Sequence, residues 1–238
     1  MELIISDLTK TFNDKTVLDS ASYTFEKGKI YGLLGRNGAG KTTLFNCLTE
    51  NLTPDQGTVT FKSDDQTARP ISYDDIGFVF TQPHLPEFMT GYEFLKYFID
   101  INKEKINHKI DINEAFASFD FAPDDQYKLI REYSLGMQNK LQILAFLLLK
   151  PSVLLLDEPL TSFDVIVALQ IKNMIKAIKS DHIIIFSTHI LQLAQDLCDD
   201  IVILNNGKLS GVDGDRLQDK DFEDQVIELL KEDSHVTH

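Results

Sequence analysis

Cysteine is nearly missing. Cys47 and Cys198 are the only two in 238 residues, and they share no metal-type spacing. A disulfide framework and a cysteine metal site are therefore both excluded, and a reducing cytoplasm is the natural home. Cys47 reads as a small core residue. Positive charge is scarce too: 23 Lys and Arg stand against 37 Asp and Glu, a net charge of −14. That balance argues against a long nucleic-acid footprint and for a well-solvated surface, although a local basic patch remains compatible with it. Long apolar runs are the third shortage. The most hydrophobic stretch, 141–156, is broken by Lys150-Pro151 and is too short to span a bilayer. The opening Met-Glu-Leu-Ile-Ile-Ser-Asp lacks the basic and extended apolar regions of a signal peptide. If the protein works at a membrane, another chain does the spanning. Internal repeats and low-complexity segments are also lacking.

What is present centres on residues 35–42, Gly-Arg-Asn-Gly-Ala-Gly-Lys-Thr, the G-x-x-x-x-G-K-[ST] pattern of a phosphate-binding loop. The apolar run 29–34 before it suits a buried strand, and 43–48 after it opens a helix with apolar residues at helical spacing. Gly35, Gly38 and Gly40 let the backbone turn its N–H groups inward, alongside Asn37 and Ala39, where side chains would block phosphates. The helix start at Lys41 adds partial positive charge at the same place. Lys41 is expected to reach the β- and γ-phosphates, the Thr42 hydroxyl to sit on Mg²⁺, and Thr43 to continue the cradle. A plain glycine-rich turn would account for two of the glycines but not for Lys-Thr at this offset between a strand and a helix.

Along the rest of the chain, strands are expected at 2–5, 21–25, 30–34, 57–61 and 76–80, with a polar loop at 63–72. Between 90 and 149 strand character gives way to helical spacing, at 92–101, 113–119 and 136–149. Alternation then resumes: strands at 153–156, 182–187 and 200–204, helices at 164–179 and 189–198. Apolar strands alternating with helices predict an α/β fold with a parallel sheet covered on both faces. The middle helices read as an inserted subdomain. In the tail, Phe222, Val226, Leu229 and Leu230 fall on one helical face amid acids.

The run Val153-Leu-Leu-Leu-Asp157-Glu158-Pro159 is a strand ending in two carboxylates. A strand buried on both faces places such acids at its carboxyl end, where open α/β sheets bind ligands. Asp157 can hold Mg²⁺ beside the phosphate loop, and Glu158 can orient or deprotonate an attacking water. An acid here could instead merely cap the next helix. The pairing with the phosphate loop favours the catalytic role.

With these pieces in place the chain resembles the ABC-type ATPases, the nucleotide-binding subunits of ABC transporters. Tyr133-Ser134-Leu135-Gly136-Met137-Gln138 resembles the family signature, usually Leu-Ser-Gly-Gly-Gln, with Leu135 and Met137 as departures. Leu160-Thr-Ser-Phe-Asp164 resembles the D-loop, and Ser187-Thr188-His189 the switch histidine at a strand end. Phe12 matches the aromatic residue that stacks on adenine. The family's Q-loop glutamine falls on Thr81 by counting, with Gln82 one place late; Gln82, the only amide available there, is the expected contact to Mg²⁺ and water.

The resemblance implies one ABC-type ATPase domain over 1–238. It comprises a phosphate-loop ATPase core with a mostly parallel sheet, an N-terminal antiparallel β-subdomain, an inserted α-helical subdomain at about 83–149, and a C-terminal amphipathic helix at about 214–233. It further implies ATP and Mg²⁺ as cofactors, with Ser134, Gly136 and Asp164 facing nucleotide held by a second chain in a head-to-tail homodimer or heterodimer. His189 would contact the γ-phosphate. Membrane-spanning subunits would be the partners, at the cytoplasmic side of the cell membrane, and the Ser-Leu-Gly-Met signature is similar to that of exporters. The surface at 83–101, with Phe88, Tyr92, Phe94, Tyr97 and Phe98, fits a groove for a partner helix, although Phe94 and Phe98 suit the subdomain's own core.

The competing reading is a soluble ABC-type ATPase acting on ribosomes or DNA. It meets an unfavourable charge and finds no coiled-coil or zinc insertion. A GTPase would need an Asn-Lys-x-Asp pattern, and Asn102-Lys-Glu-Lys and Asn139-Lys-Leu-Gln both lack the Asp.

Overall fold

The computed structural model describes residues 1–106, 109–159 and 165–212, together with Phe222 and Val226. The chain opens on a long hairpin, β1 (Glu2–Phe12) with β2 (Lys15–Glu26), turning at Asn13-Asp14. Next come β3 (Ile30–Leu34), α1 (Lys41–Leu48), β4 (Gln56–Lys62), β5 (Ala68–Pro70) and β6 (Ile76–Val79). Three helices follow: α2 (Gly91–Ile101), α3 (Ile112–Ser118) and α4 (Leu135–Leu148). The described chain then runs through β7 (Val153–Asp157), α5 (Val165–Ile178), β8 (Ile183–Thr188), α6 (Leu191–Leu197), β9 (Asp200–Asn205) and β10 (Lys208–Val212).

The strands form two sheets. One is antiparallel in the order β2-β1-β4-β5; the other runs β10-β9-β3-β8-β7-β6 and is parallel except for β10. The parallel strands are apolar at nearly every position because each face packs on a different core. Val153 and Leu155 of β7 point into the core shared with the antiparallel sheet and α1, whereas Leu154 and Leu156 point into the core under α5 and α6. Ile183 and Ile185 of β8 alternate with Ile184 and Phe186 in the same way. Burying an aliphatic side chain of this kind contributes about 1.5–3 kcal/mol. Phe222 and Val226, one helical turn apart, are both buried in the second core; Leu229 and Leu230 lie outside the described residues.

The helices between β6 and β7 have a third core, built on Leu95, Phe116, Phe121, Ile130, Tyr133 and Leu141, with Phe94 and Phe98 packed at its edge. Gly77 lets α4 approach β6, since a Cβ there would stand 3.3 Å from the Phe146 Cβ and 3.0 Å from Pro151.

Three differences from the sequence expectations bear on function. The hairpin is far longer than the expected 2–5 and 21–25, because register shifts between Ile5 and Thr11 break the alternation of β1. The loop at 63–72 contains β5, which pairs with β4. The strand β10 was not expected at all. It returns from β9 through Asn206-Gly207, both at positive φ (48° and 73°), a two-residue turn of the type Asn-Gly favours.

Candidate functional site

The carboxyl ends of β3, β8, β7 and β6 lie side by side at one edge of the parallel sheet. The phosphate loop leaves β3 there and enters α1. Gly38 and Gly40 take φ of 81° and 107°, which side chains rarely adopt, and a Cβ on Gly40 would stand 2.7 Å from Val17. The loop closes on itself through the Ala39 N–H, which donates to the Arg36 carbonyl at 3.1 Å. Lys41 is buried under the loop, and its Nζ donates to the carbonyls of Gly35 at 2.8 Å and Arg36 at 3.3 Å. Burial pushes this ammonium below its ordinary pKa, against the opposing pull of Glu158 and Asp157.

Asp157 ends β7 opposite Ser187 of β8. Its Oδ1 accepts from the Ser187 hydroxyl at 2.6 Å, its Oδ2 from the Thr42 hydroxyl at 3.2 Å, and its carbonyl from the Thr81 hydroxyl at 2.9 Å. Ser187 Oγ also accepts from the Glu158 N–H at 3.0 Å, so one hydroxyl ties the two acids together. Glu158 holds φ at 48°, a left-handed backbone that costs a non-glycine residue roughly 1–3 kcal/mol. Its Oε1 lies 3.1 Å from His189 Nδ1.

Beside them lies a cavity of about 330 Å³ whose wall includes Phe12, Val17, Lys41, Thr42, Thr81, Asp157 and Glu158 but not Gly35, Ala39 or His189. Asn37, Gly38, Gly40 and Thr43 complete it. Phe12 is 43% exposed and offers a ring face at the mouth. A larger cavity of about 500 Å³, between α1, β4 and β5, gathers none of the expected site residues.

The donor set fits Mg²⁺ and a nucleoside triphosphate. Thr42 and Asp157 supply hard oxygen ligands 3.2 Å apart, and no cluster of three or more His, Cys, Asp or Glu competes among the described residues. One hydroxyl and one carboxylate beside a phosphate cradle leave the remaining positions to phosphate oxygens and water.

Not every expected residue joins this wall. Gln82 is exposed on the loop after β6, and it is Thr81 that reaches the cavity. Ser134 caps α4, its Oγ accepting from the Met137 N–H at 3.2 Å, and Gly136 sits in the first turn; neither lines the cavity. Asp164 lies outside the described residues. Two contacts escaped sequence reasoning: the Ser187 bridge, signalled only by a Ser at the end of an apolar strand, and the Thr81 contact to the Asp157 carbonyl.

A family model described as ABC transporter matches residues 18–161. The chain is 31% identical over 218 residues to the ABC transporter ATP-binding protein NatA of Bacillus subtilis (strain 168), covering 87% of each chain. The sulfate/thiosulfate import ATP-binding protein CysA of Nitrosomonas europaea is 30% identical over 240 residues, 97% of this chain and 66% of that protein. A solved ATP-binding subunit of an ABC transporter superposes with a TM-score of 0.80 at 22% identity, over 97% of this chain and 100% of that one.

Proposed function

The chain belongs to the ABC transporter family and is one of its ATPases, and on that premise we propose that it drives export through membrane-spanning partners by ATP-dependent, head-to-tail pairing. The observation that carries the pairing is a separation within one chain. Lys41, Thr42, Asp157 and Glu158 share the cavity wall, whereas Ser134 and Leu135 stand exposed at the start of a different helix, away from it. A signature cap aimed at phosphate has work to do only if a second copy, or a related chain, brings it to the open cavity. Two-fold pairing then uses each surface of each chain once.

Within the closed site Phe12 stacks on the base, and the loop N–H groups with the start of α1 hold the phosphates. Lys41 exchanges its two loop carbonyls for phosphate oxygens. Thr42 and Asp157 hold Mg²⁺, which when bound neutralises charge on the transferring phosphoryl group. Glu158, anchored by Ser187 and His189, orients and deprotonates the attacking water. His189 contacts the γ-phosphate once the dimer closes.

Export rests on the Ser134-Leu135-Gly136-Met137 signature. Overall similarity does not choose export, since a protein named for import is itself 30% identical to this chain. No helix among the described residues is long and apolar enough to cross a membrane. The family reading assigns spanning to partner subunits and a peripheral, cytoplasmic-face position to this chain. Phe88 and Tyr97, 77% and 52% exposed, mark the partner surface, while Phe94 and Phe98 belong to the helical core. The same reading takes 1–238 as one ATPase domain, with α2 to α4 as its inserted subdomain.

The test is Glu158→Gln. Turnover is expected to fall at least about 100-fold with ATP binding retained, and size-exclusion chromatography should show an ATP-dependent dimer. Unchanged turnover would remove Glu158 from its role; a monomer at saturating ATP would remove the pairing.

A further inference from the structure

The segment just before the signature cap is bonded to the segment leading into α2. The Arg131 N–H donates to the Glu87 carbonyl at 3.3 Å, the Ile130 N–H to Met89 at 2.8 Å, and the Gly91 N–H to Lys128 at 3.3 Å. Thr90 and Leu129 form an antiparallel bridge between them. Tyr133, directly before Ser134, is buried, and its hydroxyl donates to the Asp125 carbonyl at 2.8 Å. That hydroxyl fills the space beside Gly91: a Cβ there would overlap it and would stand 2.9 Å from the Phe116 ring. Gln138, one turn into α4, reaches back with its Nε2 to the carbonyls of Ile130 and Tyr133, at 3.4 Å each.

Ahead of Ser134, the Ile130 and Arg131 N–H groups are held by the 87–91 segment, the Glu132 and Tyr133 N–H groups by the carbonyls of Leu129 and Ile130, and the Tyr133 hydroxyl by Asp125. Phe88, 77% exposed, lies within 87–91. Packed groups of this kind shift together because the interior leaves little slack. We propose that Tyr133 is a positioning residue: wedged against Gly91, it couples the 87–91 segment to the Ser134 cap so that the two move as one unit. The role rests on the head-to-tail pairing proposed above. A push on 87–91 from a bound partner is delivered to the cap that completes the second chain's site.

The test uses the full chain carrying Glu158→Gln, alone and combined with Tyr133→Phe or Gly91→Ala. Tyr133→Phe keeps the ring and removes only the hydrogen bond, whereas Gly91→Ala pushes the hydroxyl away. The expected result is that ATP binding to the monomer stays near that of the parent, while the thermal midpoint of the Tyr133→Phe chain falls by the few degrees that one lost hydrogen bond costs. The ATP concentration giving half-maximal dimer should rise about three- to ten-fold, because a cap no longer held in place must be ordered when the second chain's site closes on it. An unchanged requirement in the Tyr133→Phe chain overturns this role while leaving the pairing intact. A Glu158→Gln parent that never dimerises removes the pairing and this role with it. If Gly91→Ala fails to fold, the Tyr133→Phe result decides alone.

Discussion

At the scale of single residues, Ser187 ties the Asp157 carboxylate to the backbone of Glu158. Its hydroxyl donates a hydrogen bond to Asp157 Oδ1 and accepts one from the Glu158 N–H, and the side chain is fully buried. Ser187→Ala would leave a carboxylate oxygen and a backbone donor short of partners where water has poor access, which costs about 1–3 kcal/mol. Because the bridge also fixes the left-handed turn at Glu158, turnover should fall about 10- to 100-fold, as for other groups that orient a catalytic ligand. Steady-state kinetics beside nucleotide titration would check this. Comparable losses in kcat and in ATP affinity would mean that the hydroxyl supports the phosphate site as a whole and not Glu158. The difference in legibility between Ser187 and Lys41 has a physical origin. Lys41 acts within a contiguous loop, so spacing alone declares it. Ser187 acts through the pairing of Asp157 with Ser187 across β7 and β8, a register that neither strand carries by itself. Thr81 and Gln82 show the same limit, since one residue of loop decides which side chain meets the cavity.

At the scale of elements, the turn before β6 is fastened by one ion pair. Asp75 accepts from both Arg69 Nη atoms at 2.6 Å and from the Ser72 N–H at 2.9 Å. Burial alone would raise its pKa, yet the Arg69 bonds and the Ser72 N–H outweigh that and hold the carboxyl below its ordinary value. A carboxyl depressed in the folded state stabilises the fold above its unfolded pKa, about 3.9, and that share is lost as pH falls through the folded value. Asp75→Asn is therefore expected to lower stability by about 1–3 kcal/mol at pH 7. The gap to the native chain should narrow in melts taken below pH 4. A gap as wide at pH 3 as at pH 7 would mean that packing, not charge, holds the turn. The central strands were legible because burial on both faces writes an unbroken apolar run. The distal half of the β1–β2 hairpin was not, because its register shifts erase the two-residue period just where it carries Phe12 and Val17 to the cavity. β10, an edge strand with Ser210 and Gly211 at its centre, writes almost no apolar signal, and only the Asn206-Gly207 turn announces it.

At the scale of the whole molecule, a net charge of −14 keeps the surface solvated, so large exposed aromatics need a reason. Phe88 is the most exposed of them, and Tyr97, exposed like Tyr73 and Tyr127, lies on α2, whose inner face, Leu95 with Phe94 and Phe98, is satisfied by the helical core. The helix α2 thus turns Phe94 and Phe98 to the core and leaves Tyr97 exposed, near Phe88 in the segment that leads into it. The exposed pair suits a short apolar helix of a membrane-spanning subunit, which would supply the contacts that water cannot. Replacing both Phe88 and Tyr97 by Ala removes apolar area from the surface and nothing from the three cores. The thermal midpoint and the ATPase rate of the isolated chain should stay near native. Recovery of the membrane-spanning subunit in a gentle-detergent pull-down from its own cells should fall at least about ten-fold, the loss expected when two aromatic anchors worth about 1 kcal/mol or more each leave an interface. Undiminished recovery would move the docking surface elsewhere on the chain. Recovery of ribosomal or DNA-repair proteins in place of any membrane protein would keep the ATPase and discard the transporter, because the phosphate loop and its acids are indifferent to which machine they drive.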